Sequence, residues 1–488
     1  MAQAQESKVE STIKFLSASY SGSVLSLVRI ATGFGRAKLS ALILGTAGVG
    51  MYAQGNQLFL LASAFATLAI STGIINELTN RKTAASPARA QKILSTSFTV
   101  HFVTGTLFLI VAFLASKHVS LLVFGSKDET SKCFAVLLAI PFAAFASSHL
   151  EAVLFAANRF DLYVRGSIAA SILSFVAFIP LVRYYGLNGA FLYFAANASI
   201  LFVFFLYYAG KLRPYRELFR FGFDLHVLKI LMSYSFVMLF SGAVGYASTL
   251  LIRREIIARL GLDANGILQV PLAMTSYYTP FLTNPLWARL QPSVSANGDS
   301  PESREAFNTI LRIIGLFSTA FIVGLLLFGD LLVRLAYSRD FSPSVALMPT
   351  QFLGDFFYFI VFATSVYFLA AGRLRAYLAG WLVYYAISIS CTLYLLPTLK
   401  LRAVPMGYLV SNVVMAAVCL LWLLRAHARP ATYATLGLLA ACATVIVTHC
   451  LILRGTESLA ARSAVPLVAL AIGALVLKKN GWRKVLLK

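Results

Sequence analysis

The chain has 488 residues, 59% of them hydrophobic and only 12% charged, with a mean hydropathy of +0.79. That is too apolar for a soluble globular domain, so lipid is the solvent for most of the chain. The formal net charge of +23 would point to nucleic acid in a soluble protein; here Lys and Arg fall in the short breaks between apolar runs, where anionic lipid headgroups are the natural counter-ions and no nucleic-acid partner is implied.

In chain order, runs of about 20 apolar residues predict helices near 12–43, 51–78, 93–116, 131–157, 164–184 and 187–209, then near 226–258, 264–290, 308–328, 344–371, 376–397 and 402–424. Two more, near 432–453 and 462–477, precede the basic tail KKNGWRKVLLK. The polar start MAQAQESKVE has no small-residue cleavage site, and the first apolar run is too long for a signal-peptide core, so it is expected to stay as the first helix. Lys and Arg cluster at Arg81, Lys82, Arg89 and Lys92, at Lys211, Arg213, Arg216 and Arg220, and at Lys478, Lys479, Arg483 and Lys484. By the positive-inside bias this predicts both termini on the cytoplasmic side.

An internal repeat divides the chain. AANRFDLYVRG at 156–166 matches AAGRLRAYLAG at 370–380, so Arg159, Tyr163 and Gly166 recur as Arg373, Tyr377 and Gly380. LGTAGVG from Leu44 matches LGLDANG from Leu260, and Asn197 matches Asn412. A nearly constant displacement over corresponding helices predicts a duplicated six-helix unit; six is even, so the halves run parallel with a cleft between them. The fold class expected is an all-α polytopic membrane protein of about fourteen transmembrane helices. Residues 1–210 form an N-lobe, 211–225 a cytoplasmic linker, 226–425 a C-lobe, and 426–488 the last two helices and tail.

Charges inside apolar runs are the functional candidates, because an unpaired ion in hydrocarbon is costly. Arg29 lies deep in the first helix and Arg36 two turns on, which puts both on one face about 10 Å apart. Arg36 has a counterpart in Arg254 of the second half, next to Arg253, and the two neighbours point about 100° apart. This basic set suits a phosphate-bearing lipid, since the guanidinium fork matches phosphate oxygens. The competing readings are a structural ion pair of Arg29 with Glu151 or Asp355, and arginines that snorkel to the interface. Glu151 and Asp355 are candidate proton or sodium carriers, or else hydrogen-bonded partners of Arg or Tyr within a lobe. Tyr277, Tyr278 and Asn284, with Trp287, suit sugar contacts and equally suit the membrane interface. GTAGVG at 45–50 follows a helix and lacks the Lys-Ser/Thr of a phosphate-binding loop, so it reads as a tight interhelical turn. Cys133, Cys391, Cys419, Cys442 and Cys450 have neither disulfide nor metal-ligand spacing. No nucleotide-binding pair, catalytic triad or metal motif is present, so neither an enzyme nor a bound cofactor is expected.

The long first helix with its basic residues and Gly-rich turn, then AISTGIINELT, resembles the start of Wzx-type polysaccharide flippases of the MOP exporter superfamily. LLIRREIIARLGLDANGILQ at 250–269 resembles their segment between helices seven and eight, and QFLGDFF at 351–357 the opening of their tenth helix. Arg29, Lys38 and Arg253 fall where that family also carries basic residues. The chain departs from the family after helix eight, reading Pro292-Ser293 with Arg289 a turn earlier. The resemblance implies movement of undecaprenyl-diphosphate-linked oligosaccharide across a bacterial inner membrane by alternating access, for O-antigen or exopolysaccharide assembly, with a polysaccharide polymerase and a chain-length regulator as partners. A multidrug exporter of the same superfamily, a lipid II flippase and a membrane polymerase or ligase are the alternatives.

Overall fold

In the computed structural model, backbone is described for residues 2–79, 86–426 and 430–455, and side chains from residue 22 onward apart from 23, 234, 285–289, 292, 296–297, 426, 430–431 and 453–455. The expected helix near 462–477, the basic tail and the side chain of Arg289 lie outside the described residues.

The described chain is helical almost throughout, as it must be where lipid offers no partner for a backbone N–H or C=O. The helices are α1 Ala2–Thr67, α2 Ser71–Thr79, α3 Pro87–Phe124, α4 Thr130–Ala144, α5 Glu151–Ala156, α6 Phe160–Gly210 and α7 Tyr215–Leu218. They continue with α8 Leu225–Asn297, α9 Pro301–Leu327, α10 Gly329–Ala336, α11 Met348–Ala370, α12 Leu374–Leu399, α13 Ala403–Ala426 and α14 Pro430–Gly455. A π-helical turn, Phe145–Leu150, joins α4 to α5.

Nine stretches among the described residues are long and apolar enough to span a membrane. Four of these double back at a single residue of positive φ: Gly45 in α1, Gly186 in α6, Gly261 in α8, and Lys400 between α12 and α13. Nine stretches with four reversals give thirteen membrane-length arms, matching the first thirteen helices expected from hydropathy. The protein is therefore a multi-pass membrane protein.

The duplication is written into the backbone. Gly45 and Gly261, Asn158 and Gly372, and Gly186 and Lys400 are all positive-φ positions at a displacement of 214 or 216. Ser86 caps α3 ahead of Pro87, and Ser300 caps α9 ahead of Pro301, each accepting from the backbone N–H three residues on. At the turns after α5 and α11 the hydrogen bonds agree one for one. Arg159 N donates to Leu154 O at 3.0 Å and Arg373 N to Phe368 O at 2.8 Å; Asn158 N donates to Phe155 O and Gly372 N to Leu369 O.

Packing divides the chain into two compact units, Met1–Asn265 and Gly266–Lys488. The segment 211–225 and the first arm of α8 go with the first unit, because Leu250 packs with Met51 and Leu58, and Leu231 with Ile70 and Ile74. The expected lobe boundary at 211–225 is a sequence-repeat boundary; the packing boundary falls after the α8 turn.

In the second unit, Asp299 ties together the turns at one end of the bundle. It accepts from Arg304 Nε at 2.7 Å and from the Tyr367 hydroxyl, and it pairs with Arg373. The Arg373 guanidinium also lies 5.8 Å from the centre of the Trp422 ring. The hydrogen bond from Arg304, helped by Tyr367 and Arg373, holds the Asp299 carboxyl down at about 2.

Two measurements follow from these features. Gly186 has φ 54°, ψ −130° and Lys400 has φ 50°, ψ −130°, a region that is easy for glycine and strained for lysine. Lys400→Gly is expected to stabilise the protein by about 1 kcal/mol and Gly186→Ala to destabilise it, read from denaturation midpoints in detergent; a neutral or destabilising Lys400→Gly contradicts the assignment. The depressed Asp299 carboxyl stabilises the fold above its unfolded value of about 3.9, and that contribution fades as pH falls toward about 2. Asp299→Asn should lower the thermal midpoint at pH 7 by roughly 2–4 °C, and the gap to the wild type should close in acid.

Candidate functional site

In the first unit Arg29 and Arg36 of α1 reach α6. The Arg29 guanidinium donates to the Tyr163 hydroxyl at 3.4 Å; the Arg36 guanidinium donates to the Tyr193 hydroxyl and lies 5.4 Å from the centre of that ring. Tyr193 in turn donates to Asn197 Oδ1 at 3.3 Å. Tyr163 and Tyr193 sit on opposite arms of the α6 hairpin, so seven-residue spacing on α1 is matched by a tyrosine on each arm. Arg29 is exposed, and Arg36 and Lys38 are half-buried. Glu151 is within electrostatic range of Arg29, but among the described residues no carboxylate lies within ion-pair distance of Arg29.

Arg253 is different. It is 1% exposed, and its guanidinium donates to Asn265 Oδ1 at 2.8 Å, across the α8 turn. Asn265 Nδ2 donates to the Gly50 carbonyl at 2.7 Å, and the Thr46 hydroxyl donates to Asp263. These bonds hold the α1 turn at Gly45 beside the α8 turn at Gly261. Arg253 therefore sits inside this network, while Arg254 is half-buried on the neighbouring face.

In the second unit, Asp355 is fully buried on α11. It accepts from Thr275 Oγ1 at 2.7 Å, from the hydroxyls of Tyr278 and Tyr408, and from Gln351 Nε2 at 3.3 Å. Gln351 Oε1 is buried with no hydrogen-bond partner. Tyr278 is thus turned inward onto Asp355, whereas Tyr277 is half-buried and Asn284 exposed. Among the described residues no group of three or more His, Cys, Asp or Glu side chains could hold a metal ion.

Sequence reading singled out Asn197 and Asn412 but passed over the tyrosine four residues before each. Tyr193 and Tyr408 share the same displacement of 215, which is the signal that finds them. Tyr193 meets a cation, Arg36, and Tyr408 an anion, Asp355.

No curated protein matches the chain. Among solved structures it resembles lipid II flippase MurJ in an inward closed conformation, with TM-score 0.70 and 14% identity over 95% of this chain and 99% of that one. It also resembles an inward-facing multidrug resistance MATE family transporter of the MOP superfamily, with TM-score 0.67 and 16% identity over 85% and 98% of the two chains. A third is a MOP superfamily transporter from Pyrococcus furiosus, with TM-score 0.61 and 15% identity over 83% and 94%. These likenesses establish the MOP transporter fold. Residues 41–346 match the model of a family described as polysaccharide biosynthesis protein, which is more than half of the chain, so this protein belongs to that family.

Proposed function

We propose that the protein is a flippase for undecaprenyl-diphosphate-linked oligosaccharide, moving its cargo from the cytoplasmic to the outer leaflet of a bacterial inner membrane. The observation that carries the reading is the pair Arg29 and Arg36: two guanidiniums on one face of a membrane-spanning arm, each resting on a tyrosine hydroxyl. A diphosphate offers such guanidiniums stronger, charge-assisted acceptors than a phenol does, so the arginines are positioned to exchange partners. Lys38 and Arg254 add charge on the same unit, and Arg289 is a further candidate in the second half. Membership of a polysaccharide biosynthesis family supports a glycan cargo, with Tyr277 and Asn284 as the sugar contacts. Both termini are assigned to the cytoplasm, and a polymerase and a chain-length regulator are the expected partners.

Transport requires the arginine face to open to each side of the membrane in turn. In this conformation the Thr46–Asp263 and Gly50–Asn265 bonds join the α1 and α8 turns; in the alternate state they separate. Asp355 is the coupling candidate. Its carboxylate, the three hydroxyls that donate to it and the unpartnered Gln351 Oε1 gather oxygens suited to a proton or a sodium ion, with Gln351 Nε2 also donating to the carboxylate. Glu151, beside Arg29, is the second candidate. An anionic head moving outward gains roughly 2.3 kcal/mol per net charge per 100 mV, to which ion countertransport adds.

The test is transport of a fluorescent undecaprenyl-diphosphate oligosaccharide in proteoliposomes. Arg29→Ala and Arg36→Ala should each slow transport by roughly 10- to 100-fold, the equivalent of one charge-assisted hydrogen bond of about 1.5–3 kcal/mol, and Arg29→Lys should retain part of it. Normal transport by a folded Arg29→Ala protein refutes the arginine assignment. Movement of small cations but not of the lipid by the wild type favours a drug exporter instead.

A further inference from the structure

The segment between α6 and α8, expected from sequence to be the cytoplasmic linker, is fastened along its length to α3 and to the π-helical turn. Gln91 Nε2 donates to Glu217 O at 3.0 Å. His149 Nε2 contacts Leu218 O at 3.1 Å, while the Ser97 hydroxyl holds the other ring nitrogen at 2.9 Å. Thr99 Oγ1 bonds both the C=O and the N–H of Gly222, at 2.9 and 3.1 Å. Asp224 N donates to Thr96 Oγ1 at 3.2 Å, and Lys92 pairs with the Asp224 carboxylate at 3.6 Å. Asp224 also caps α8 by accepting from the backbone of Val227 and His226, and the bond from Val227 keeps its carboxyl below the usual range. Gly222 is a close approach, since a Cβ there would lie 2.9 Å from Ser95 Oγ.

The inner side of this strap is therefore occupied, and its other side carries two kinds of residue. Tyr215 and Phe223 are 52% and 59% exposed, and Phe221, whose ring also meets Phe98 and Phe102 of α3, is 60% exposed. Lys211, Arg216 and Arg220 are exposed beside them, and among the described residues neither Arg216 nor Arg220 has a carboxylate partner. Of the two acidic groups on the segment, Glu217 is paired with Arg213 and Asp224 with Lys92. A membrane-spanning stretch ends at Gly210 and the next long helix, α8, begins at Leu225, so the strap lies where hydrocarbon gives way to headgroups. Aromatic rings with exposed faces favour that depth, and arginines there meet lipid phosphates.

We infer that residues 211–224 form a preformed docking surface for the bilayer's own anionic phospholipids, with Arg216 and Arg220 on the headgroup phosphates and Phe221 and Phe223 among the upper acyl carbons. The occupant is membrane lipid because the surface is continuous with the lipid-facing spans on both sides and opposite in charge to an anionic leaflet. This surface is separate from the Arg29 and Arg36 face, and the inference stands or falls independently of the transported substrate.

The experiment uses the full-length protein in nanodiscs of phosphatidylcholine with a minority of phosphatidylglycerol, the acyl bromine label being carried by one lipid or the other. Tryptophan reporters are placed singly as Phe221→Trp and Phe223→Trp, and their emission is taken as the difference from the parent protein. Both reporters should be quenched more, per labelled lipid, by brominated phosphatidylglycerol. That excess should fall about fivefold for each of Arg216→Gln and Arg220→Gln and vanish at molar salt. Equal quenching by the two lipids at both positions overturns the assignment. So does loss of the excess when inorganic pyrophosphate is added at matched ionic strength, which would mark a site for soluble phosphate or for the substrate's own headgroup.

Discussion

The constraint on which the rest of this protein depends is the absence of water around its backbone. In hydrocarbon a chain can reverse only where almost no peptide group is left without a partner, and here the reversals at Gly45, Gly186, Gly261 and Lys400 each take a single positive-φ residue. Helical hydrogen bonding resumes at once on either side. Such turns leave little freedom, which is why they persist at nearly constant displacement while the side chains around them have diverged. Lys400 shows how strong the constraint is: the backbone keeps the conformation of Gly186 although the residue is no longer the one that adopts it easily.

A scaffold duplicated this closely could have produced two equivalent sites, yet the charges are not repeated. Tyr193 and Tyr408 occupy corresponding places, but the first accepts from Arg36 and the second donates to Asp355. A phenol hydroxyl can do either, so the same tyrosine serves both signs and only the partner had to change. The first unit consequently presents cationic groups and the second a buried carboxylate held by three hydroxyls and an amide. One duplicated scaffold thus carries opposite charges at corresponding tyrosines.

Most of the helices were legible in the sequence, because a span of about 20 apolar residues has no other stable form in lipid. The shared face of Arg29 and Arg36 was legible too, since helical periodicity alone sets it. What could not be read was whatever depends on contacts between distant turns. Arg253 and Arg254 are adjacent and alike in sequence; only the fold of α8 back at Gly261 brings Asn265 to Arg253 and seals it inside. Tyr278, read as a sugar contact or an interface residue, turns inward because Asp355 lies opposite it. The docking of 211–224 was invisible for another reason: most of the bonds that hold it end on backbone groups, which carry no residue signature.

Desolvation separates the arginines by function. Arg253 is taken wholly out of solvent, and its guanidinium is held to Asn265, which is itself fixed on the Gly50 carbonyl. Freeing the Arg253 guanidinium means first breaking its bond to Asn265, the residue that joins the α8 turn to α1. Arg29 is exposed, and its bond to Tyr163 is long at 3.4 Å, so little fixes its guanidinium in place. Burial ranks the three: Arg29 is exposed, Arg36 half-buried and Arg253 sealed inside. One charge type thus stands in three environments, and only the innermost is built into the bonds that hold the α1 and α8 turns together.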